Sequence, residues 1–243
     1  MSALEGKVAL ITGGARRIGR VLALTLARAG ADIVFTYRNS ADEAESLVRA
    51  ISALEREALA VRCDLRDPVS LREAVKEAVE FDGRLDILVN NAGAYRTTNF
   101  ADISVEEWDE MFETNARAPF LLSQAAAPEL RKSSGTIINI GSLGGIHGWA
   151  THAHYSASKA ALHMLTQATA KALAPEINVN AVAPGMIYFG EPAGAEMARH
   201  FAAKTPMQRT GTAEDVAAAV LWFAGCPKFI TGQILAVDGG LGL

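Results

Sequence analysis

"TGGARRIGR", residues 12–20, follows the apolar run "VALI" at 8–11 and opens a segment with helical spacing. Glycines 13, 14 and 19 permit a tight strand-to-helix turn whose free backbone N–H groups can face a pyrophosphate. Arg17 stands where a third glycine of such a turn is expected. The stretch therefore predicts a nucleotide-phosphate turn between a first strand and a first helix, and the rest of the chain tests that reading.

Short β-branched or apolar runs recur at 7–12, 32–37, 58–63, 85–90, 135–140, 177–182 and 233–238. Their near-continuous apolarity predicts strands covered on both faces, as in a parallel sheet. Helical spacing fills 17–29, 41–55, 68–81, 104–128, 153–174 and 212–224. Asp67 before Pro68 reads as a cap followed by proline at the first helical position, and Thr212 with Asp215 as a capping box. The alternation predicts an α/β fold with a doubly wound seven-stranded parallel sheet, helices on both faces and right-handed crossovers. Ligands in such sheets bind beyond the carboxyl ends of the strands.

The chain has 243 residues, of which 50% are hydrophobic and 21% charged, enough to fold as one domain spanning 1–243 without disulfides. Cys63 and Cys226 have no CxxC or Cys/His spacing and read as core thiols of a reducing compartment. A net charge of -4 excludes a general nucleic-acid or anionic-membrane surface. No basic stretch precedes a long apolar one near residue 1, so a cytoplasmic location is expected.

The end of the second strand refines the nucleotide reading. Enzymes that use NAD place an acid there for the ribose 2′-hydroxyl, whereas this chain reads "FTYRNSADE" at 35–43, with Tyr37, Arg38, Asn39 and Ser40. Arg38 can face a 2′-phosphate and Arg17 can approach the same group, which favours NADPH/NADP+. The competing reading is two solvated surface arginines.

"HYSASK" at 154–159 puts Tyr155 and Lys159 one helical turn apart on one face. Ser142 follows the fifth strand in "INIGSLGG", and Asn115 interrupts an amphipathic pattern in "ETNARAPF". A surface Tyr/Lys pair and a helix-kinking asparagine are the plain alternatives. The histidines show no metal-ligand spacing, since His152 and His154 diverge on a helix and His147, His163 and His200 are scattered.

Taken in order, "TGGARRIG", "CDL" with Asp64, "NNAG" at 90–93, Asn115, Ser142, Tyr155 with Lys159, "APG" at Pro184 and Gly185, "ITGQ" and "VDGG" resemble the short-chain dehydrogenase/reductase family over nearly the whole chain. The resemblance implies a Rossmann fold and roles for these residues. Tyr155 would protonate the developing alkoxide, Ser142 would polarise the substrate carbonyl, Asn115 would support a water path to Lys159, and Lys159 would bind the nicotinamide ribose. Gly13, Arg16, Arg17, Ile18 and Gly19 would hold the phosphates, and Tyr37 to Ser40 the adenosine side. Asp64 and Leu65 would meet the adenine; Asn91, Ala92 and Gly93 would line the cofactor; Pro184, Gly185 and Ile187 would lie at its carboxamide. A cation near 4 Å at an effective dielectric of 20 gives about 4 kcal/mol, or about 3 pKa units, which before desolvation brings Tyr155 toward neutrality.

Residues 186–206 read as a helical lid over the site, with Tyr95 and either Tyr188 or Phe189 as aromatic walls. The substrate stays open. Arg17, "YRNSADEAE" and "ALAPEINVN" look like pteridine and dihydropteridine reductases, which commonly carry Asp where this chain has Ser142. Ser142 and "QRTGTAEDVA" look like 3-oxoacyl-ACP reductases and general carbonyl reductases, so a small-molecule carbonyl substrate is expected. An acyl carrier protein partner lacks a clear basic docking patch in the sequence; Arg131 and Lys132 are the adjacent basic pair read for it on the site side. A non-catalytic NADP(H)-binding protein is the remaining class, and the retained set of Asn115, Ser142, Tyr155 and Lys159 speaks against it. The family implies a homotetramer packed through 104–128, 153–174 and the "VDGGLGL" end.

Overall fold

The computed structural model of the protein describes residues 3–243; Met1 and Ser2, the start of the expected 1–243 unit, lie outside them. The apolar runs form β1 (Val8–Ile11), β2 (Asp32–Tyr37), β3 (Ala58–Arg62), β4 (Ile87–Asn90), β5 (Thr136–Ile140), β6 (Asn178–Pro184) and β7 (Ile234–Val237), each within two residues of its expected bounds. They make one seven-stranded sheet in the order β3-β2-β1-β4-β5-β6-β7, and every pairing is parallel.

Burial of both faces explains the unbroken apolarity of the inner strands β1, β4, β5 and β6, whereas the edge strands β3 and β7 are partly exposed. Along β1, Ala9 and Ile11 pack on one side with Leu22 and Leu26 of α1 (Arg17–Arg28) and Val220 and Phe223 of α8 (Ala213–Gly225). Val8 and Leu10 pack on the other with Leu71 and Val75 of α3 (Pro68–Asp82) and Leu122 and Leu130 of α5 (Ala118–Lys132). Strand alternation thus feeds two cores at once.

The helix signals act as read. Asp67 accepts hydrogen bonds from the Val69 and Ser70 amides, Pro68 begins α3, and Gly83 ends it in the left-handed conformation at φ +67°. Thr212 and Asp215 form a reciprocal capping box at α8. The expected single helix over 104–128 is different: α4 (Val105–Phe112) passes through a π-helical turn, Glu113–Arg117, into α5. Pro119 has no N–H to donate to the carbonyl four residues back, so the α-helical ladder opens at Asn115. α2 spans Ala41–Ser52, α6 Ala153–Leu173, and α7, Ala195–Lys204, lies inside the segment read as a lid. Among the described residues, no helix is long and apolar enough to cross a membrane.

The chain runs outward from β1 to β2 and β3, then returns to place β4 on β1's other side. This reversal opens a crevice past the carboxyl ends of β1 and β4. Thr12–Arg20 and the Asn90–Gly93 turn leave those two strand ends.

Candidate active site

The glycine turn is packed against its neighbour with no room for side chains. Gly13 has φ +64°, and a Cβ there would lie 2.8 Å from the Ala92 Cβ; one on Gly19 would lie 2.1 Å from the Gly13 carbonyl oxygen. Asn91 Nδ2 donates to the Thr12 and Gly13 carbonyls at 2.8 and 3.2 Å, and Thr12 Oγ1 accepts the Asn91 and Ala92 amides, both at 3.0 Å. The Arg16 side chain, at the N-cap of α1, makes no capping hydrogen bond among the described residues. The first amides of α1 therefore suit a phosphate anion, and a bare, close-packed backbone cradle is what a dinucleotide requires.

Arg17 takes the backbone of the glycine it replaces, with φ +51°, at a cost of about 1–2 kcal/mol for a residue with a Cβ. From this left-handed position its guanidinium donates to Glu191 Oε1 at 3.3 Å and lies 5.3 Å over the Phe189 ring, so the 186–206 segment supplies both its counter-charge and its stacking surface. Arg16 instead reaches Glu43 in the first turn of α2, at 3.8 Å, beside the loop of Arg38, Asn39 and Ser40. Arg38 and Asn39 line an open cavity of about 530 Å³ with Arg62, Cys63, Asp64 and Ser70. Tyr37 is half-buried against the adjoining core, and Leu65 against the opposite one.

α6 presents Tyr155 and Lys159 on one face, as their spacing predicts. Lys159 is buried and its Nζ donates to the Ile140 carbonyl at the end of β5, at 2.8 Å; burial lowers its pKa to about 8. Ser142, also buried, lies just past β5, with its Oγ accepting the Gly144 amide at 3.0 Å. Burial raises the Tyr155 pKa, and a hydrogen bond with the Ser142 side chain works against that rise. The expected descent toward neutrality is thereby corrected: loss of water around the phenolate outweighs the groups that favour it.

Asn115 is wholly buried in the π-helical turn. Its amide brackets the backbone of Ala94, accepting from the N–H at 2.8 Å and donating to the C=O at 2.9 Å, and also donates to Ser158 Oγ at 2.9 Å. A Cβ on Gly93 would lie 3.0 Å from Asn115 Oδ1 and 3.3 Å from Lys159 Nζ, so these groups converge on one point.

Tyr95 stands at the mouth, 58% exposed, edge-on to the Tyr155 ring at 5.0 Å and stacked on His152 at 5.0 Å. Its hydroxyl lies 2.6 Å from His152 Nε2, with Thr97 Oγ1 at 3.0 Å from the same nitrogen and Thr151 Oγ1 at 2.9 Å from Nδ1. Gly185, after Pro184 at the end of β6, donates to the Val237 carbonyl at 3.0 Å, and Ile187 bridges Gly211. The Tyr188 hydroxyl donates to the Glu191 carbonyl at 2.9 Å, inside its own segment.

The family model described as enoyl-(acyl carrier protein) reductase matches residues 13–242. A short chain dehydrogenase from Burkholderia cenocepacia, solved in complex with NADP, shares the structure with a TM-score of 0.94 and 40% identity, over 99% of this chain and 100% of that one. The chain belongs to the short-chain dehydrogenase/reductase family. It is 38% identical to a 3-oxoacyl-[acyl-carrier-protein] reductase of Staphylococcus aureus, over 97% of this chain and 98% of the relative. It is 35% identical to an L-rhamnose 1-dehydrogenase (NAD(P)(+)) of a Sphingomonas species, over 99% and 98%.

In this short-chain dehydrogenase/reductase, Arg131 and Lys132 are not near the site. They end α5 just before β5, and helix-to-strand connections of a parallel sheet lie at its amino edge, opposite the crevice. Sequence reading passed over Ser158, which ties Asn115 to α6, and Arg62, whose Nε donates to the Arg38 carbonyl at 3.4 Å. Arg62 had a signal: it ends a strand whose partner is β2, in register with Tyr37.

Proposed function

We propose that this oxidoreductase uses NADPH to reduce a small-molecule carbonyl to an alcohol, with 1–243 acting as one nucleotide-binding unit. The carrying observation is that Ser142, just past the carboxyl end of β5, faces Tyr155 of α6, and that Lys159, one turn along the same face of α6, is tied to the end of β5. Bound in the crevice, the cofactor supplies a hydride. The amides of Gly13 to Gly19 would hold its pyrophosphate, and Arg38 with Arg16 and Arg62 its 2′-phosphate. Asp64 and Leu65 would flank the adenine, Asn91 to Gly93 and Lys159 the ribose, and Pro184, Gly185 and Ile187 the carboxamide.

The chain's own groups then manage the oxygen. Ser142 Oγ accepts from the Gly144 amide, which leaves its O–H to polarise the carbonyl. The raised pKa keeps Tyr155 protonated at neutral pH, so the phenol can give its proton as alkoxide charge develops. Lys159, with a pKa about 8, changes charge near neutral pH and would restore that proton along a water path that Asn115 would support. The Tyr95–His152 pair faces Tyr155 and would form the substrate wall, while 186–206 would close over it.

The complex of the Burkholderia relative with NADP supports the cofactor reading. The acyl-carrier-protein reductase relative makes a 3-oxoacyl thioester one candidate substrate. A homotetramer draws support from Val105, Trp108 and Met164, large apolar side chains exposed on α4 and α6. The test is reduction of acetoacetyl thioesters, ketones, diketones and dihydropteridines with NADPH and with NADH. Turnover of a carbonyl with NADPH preferred is the expected result. A preference for NADH defeats the cofactor reading, and pterin reduction with inert ketones makes the protein a pteridine reductase. NADPH binding without turnover of any compound makes it a binding protein.

A further inference from the structure

The Tyr155, Lys159 face of α6 continues for one more turn to His163, four residues beyond Lys159. Lys159 holds the Ile140 carbonyl at the end of β5, and His163 holds the turn that follows it. The imidazole is 5% exposed, and Ser142 N–H donates to its Nε2 at 3.4 Å. The fit is tight: a Cβ on Gly141 would lie 2.1 Å from His163 Nε2, and one on Gly145 would lie 2.9 Å from its Cε1. A backbone hydrogen bond at Gly145 engages the ring as well. The ring therefore fills the space between the two ends of the turn that carries Ser142, a space open only because glycine occupies 141 and 145.

We propose that His163 is a positioning residue for the reduction, its neutral imidazole accepting the Ser142 amide and fixing the Ser142 hydroxyl toward Tyr155. The inference rests on the carbonyl-reductase reading for its kinetic part. Donor matching gives the reason for a histidine: Nε2 must carry a lone pair to receive an N–H, and an imidazolium would oppose one donor with another. Burial first, and the neighbouring Lys159 charge second, lower the His163 pKa to about 4, so the acceptor form persists through neutral pH.

His163→Leu keeps the bulk and removes the acceptor; His163→Gln restores an acceptor at similar reach; His163→Asn is too short to reach. Misplacing Ser142 is expected to cut kcat about 10–10²-fold in H163L and H163N. KM for the carbonyl and Kd for NADPH should stay within about threefold, and H163Q should recover most of the rate. The Ser142 amide resonance in a ¹⁵N NMR spectrum reads the same contact without turnover, moving in H163L and H163N but returning toward its wild-type position in H163Q. Wild-type kcat in H163L, or equal impairment of H163Q and H163N, overturns the proposal. If H163L does not fold, H163Q against H163N decides. An inactive wild-type protein sinks the carbonyl reading alone, because the amide resonance still decides whether His163 holds Ser142.

Discussion

Tyr155 shows how one side chain can be legible in position and misjudged in chemistry. The "HYSASK" spacing puts it on one face of α6 with Lys159, and Coulomb attraction suggests an acidified phenol. Burial reverses that direction. A protonated phenol is the form that a reduction needs, so the correction strengthens its role as acid. Tyr155→Phe is expected to lower kcat by about 10²–10⁴-fold with NADPH affinity, read by fluorescence titration, unchanged; retained turnover would remove Tyr155 from the role. Arg17 poses a different problem. A residue type gives charge and reach, but its direction depended on φ +51°, which the sequence does not display. Arg38→Ala should weaken NADPH and leave NADH nearly untouched. Arg17→Gly should instead relieve backbone strain while losing an exposed ion pair worth at most about 1 kcal/mol. The expected result is a Tm equal to or above wild type with NADPH selectivity retained; loss of selectivity would return Arg17 to the 2′-phosphate.

At the scale of elements, the inner strands were the most legible because burial on both faces leaves a short continuous apolar run, and the one comparable run, Val216–Ala224 of α8, is marked as helix by its capping box. Caps were equally clear, since Asp67–Pro68 and Thr212–Asp215 act within four residues of themselves. The π-helical turn was not. Its cause is partly local, through Pro119, but its content is tertiary: Asn115 is held by Ala94 and by Ser158 on α6, far away in sequence. A polar residue inside a helical pattern signalled an anomaly without naming those partners. Asn115→Ala leaves the buried Ser158 hydroxyl and the Ala94 backbone without these partners and should destabilise the protein by about 2–3 kcal/mol. Urea unfolding measures it, and a loss below about 0.5 kcal/mol would mean that water replaces the amide. Thr212→Ala should cost about 1 kcal/mol by the same measurement through loss of the α8 cap.

For the whole molecule, a crevice at the reversal of strand order concentrates polar and ionisable groups where the sheet gives them little water. Lys159 and His163 both have lowered pKa values, chiefly from burial, so the site is bought at the expense of stability. For His163 the ordinary value of 6.5 falls to about 4. Between these values the unfolded chain binds a proton that the folded chain refuses, so stability rises with pH across that window and falls as acid is added. Lys159 obeys the same sign in a different window, from about 8 to 10.5, and contributes no slope in acid. Other carboxylates and histidines also titrate there, so the wild-type curve alone does not isolate His163. The difference between wild type and His163→Gln does. Urea unfolding at pH 7 and pH 4.5 should show wild type losing about 2 kcal/mol more than the variant, after allowance for partial screening of the ring. Equal losses would mean that the imidazole takes up its proton in the folded state as readily as in the unfolded one, and the turn carrying Ser142 would then have to accommodate an imidazolium.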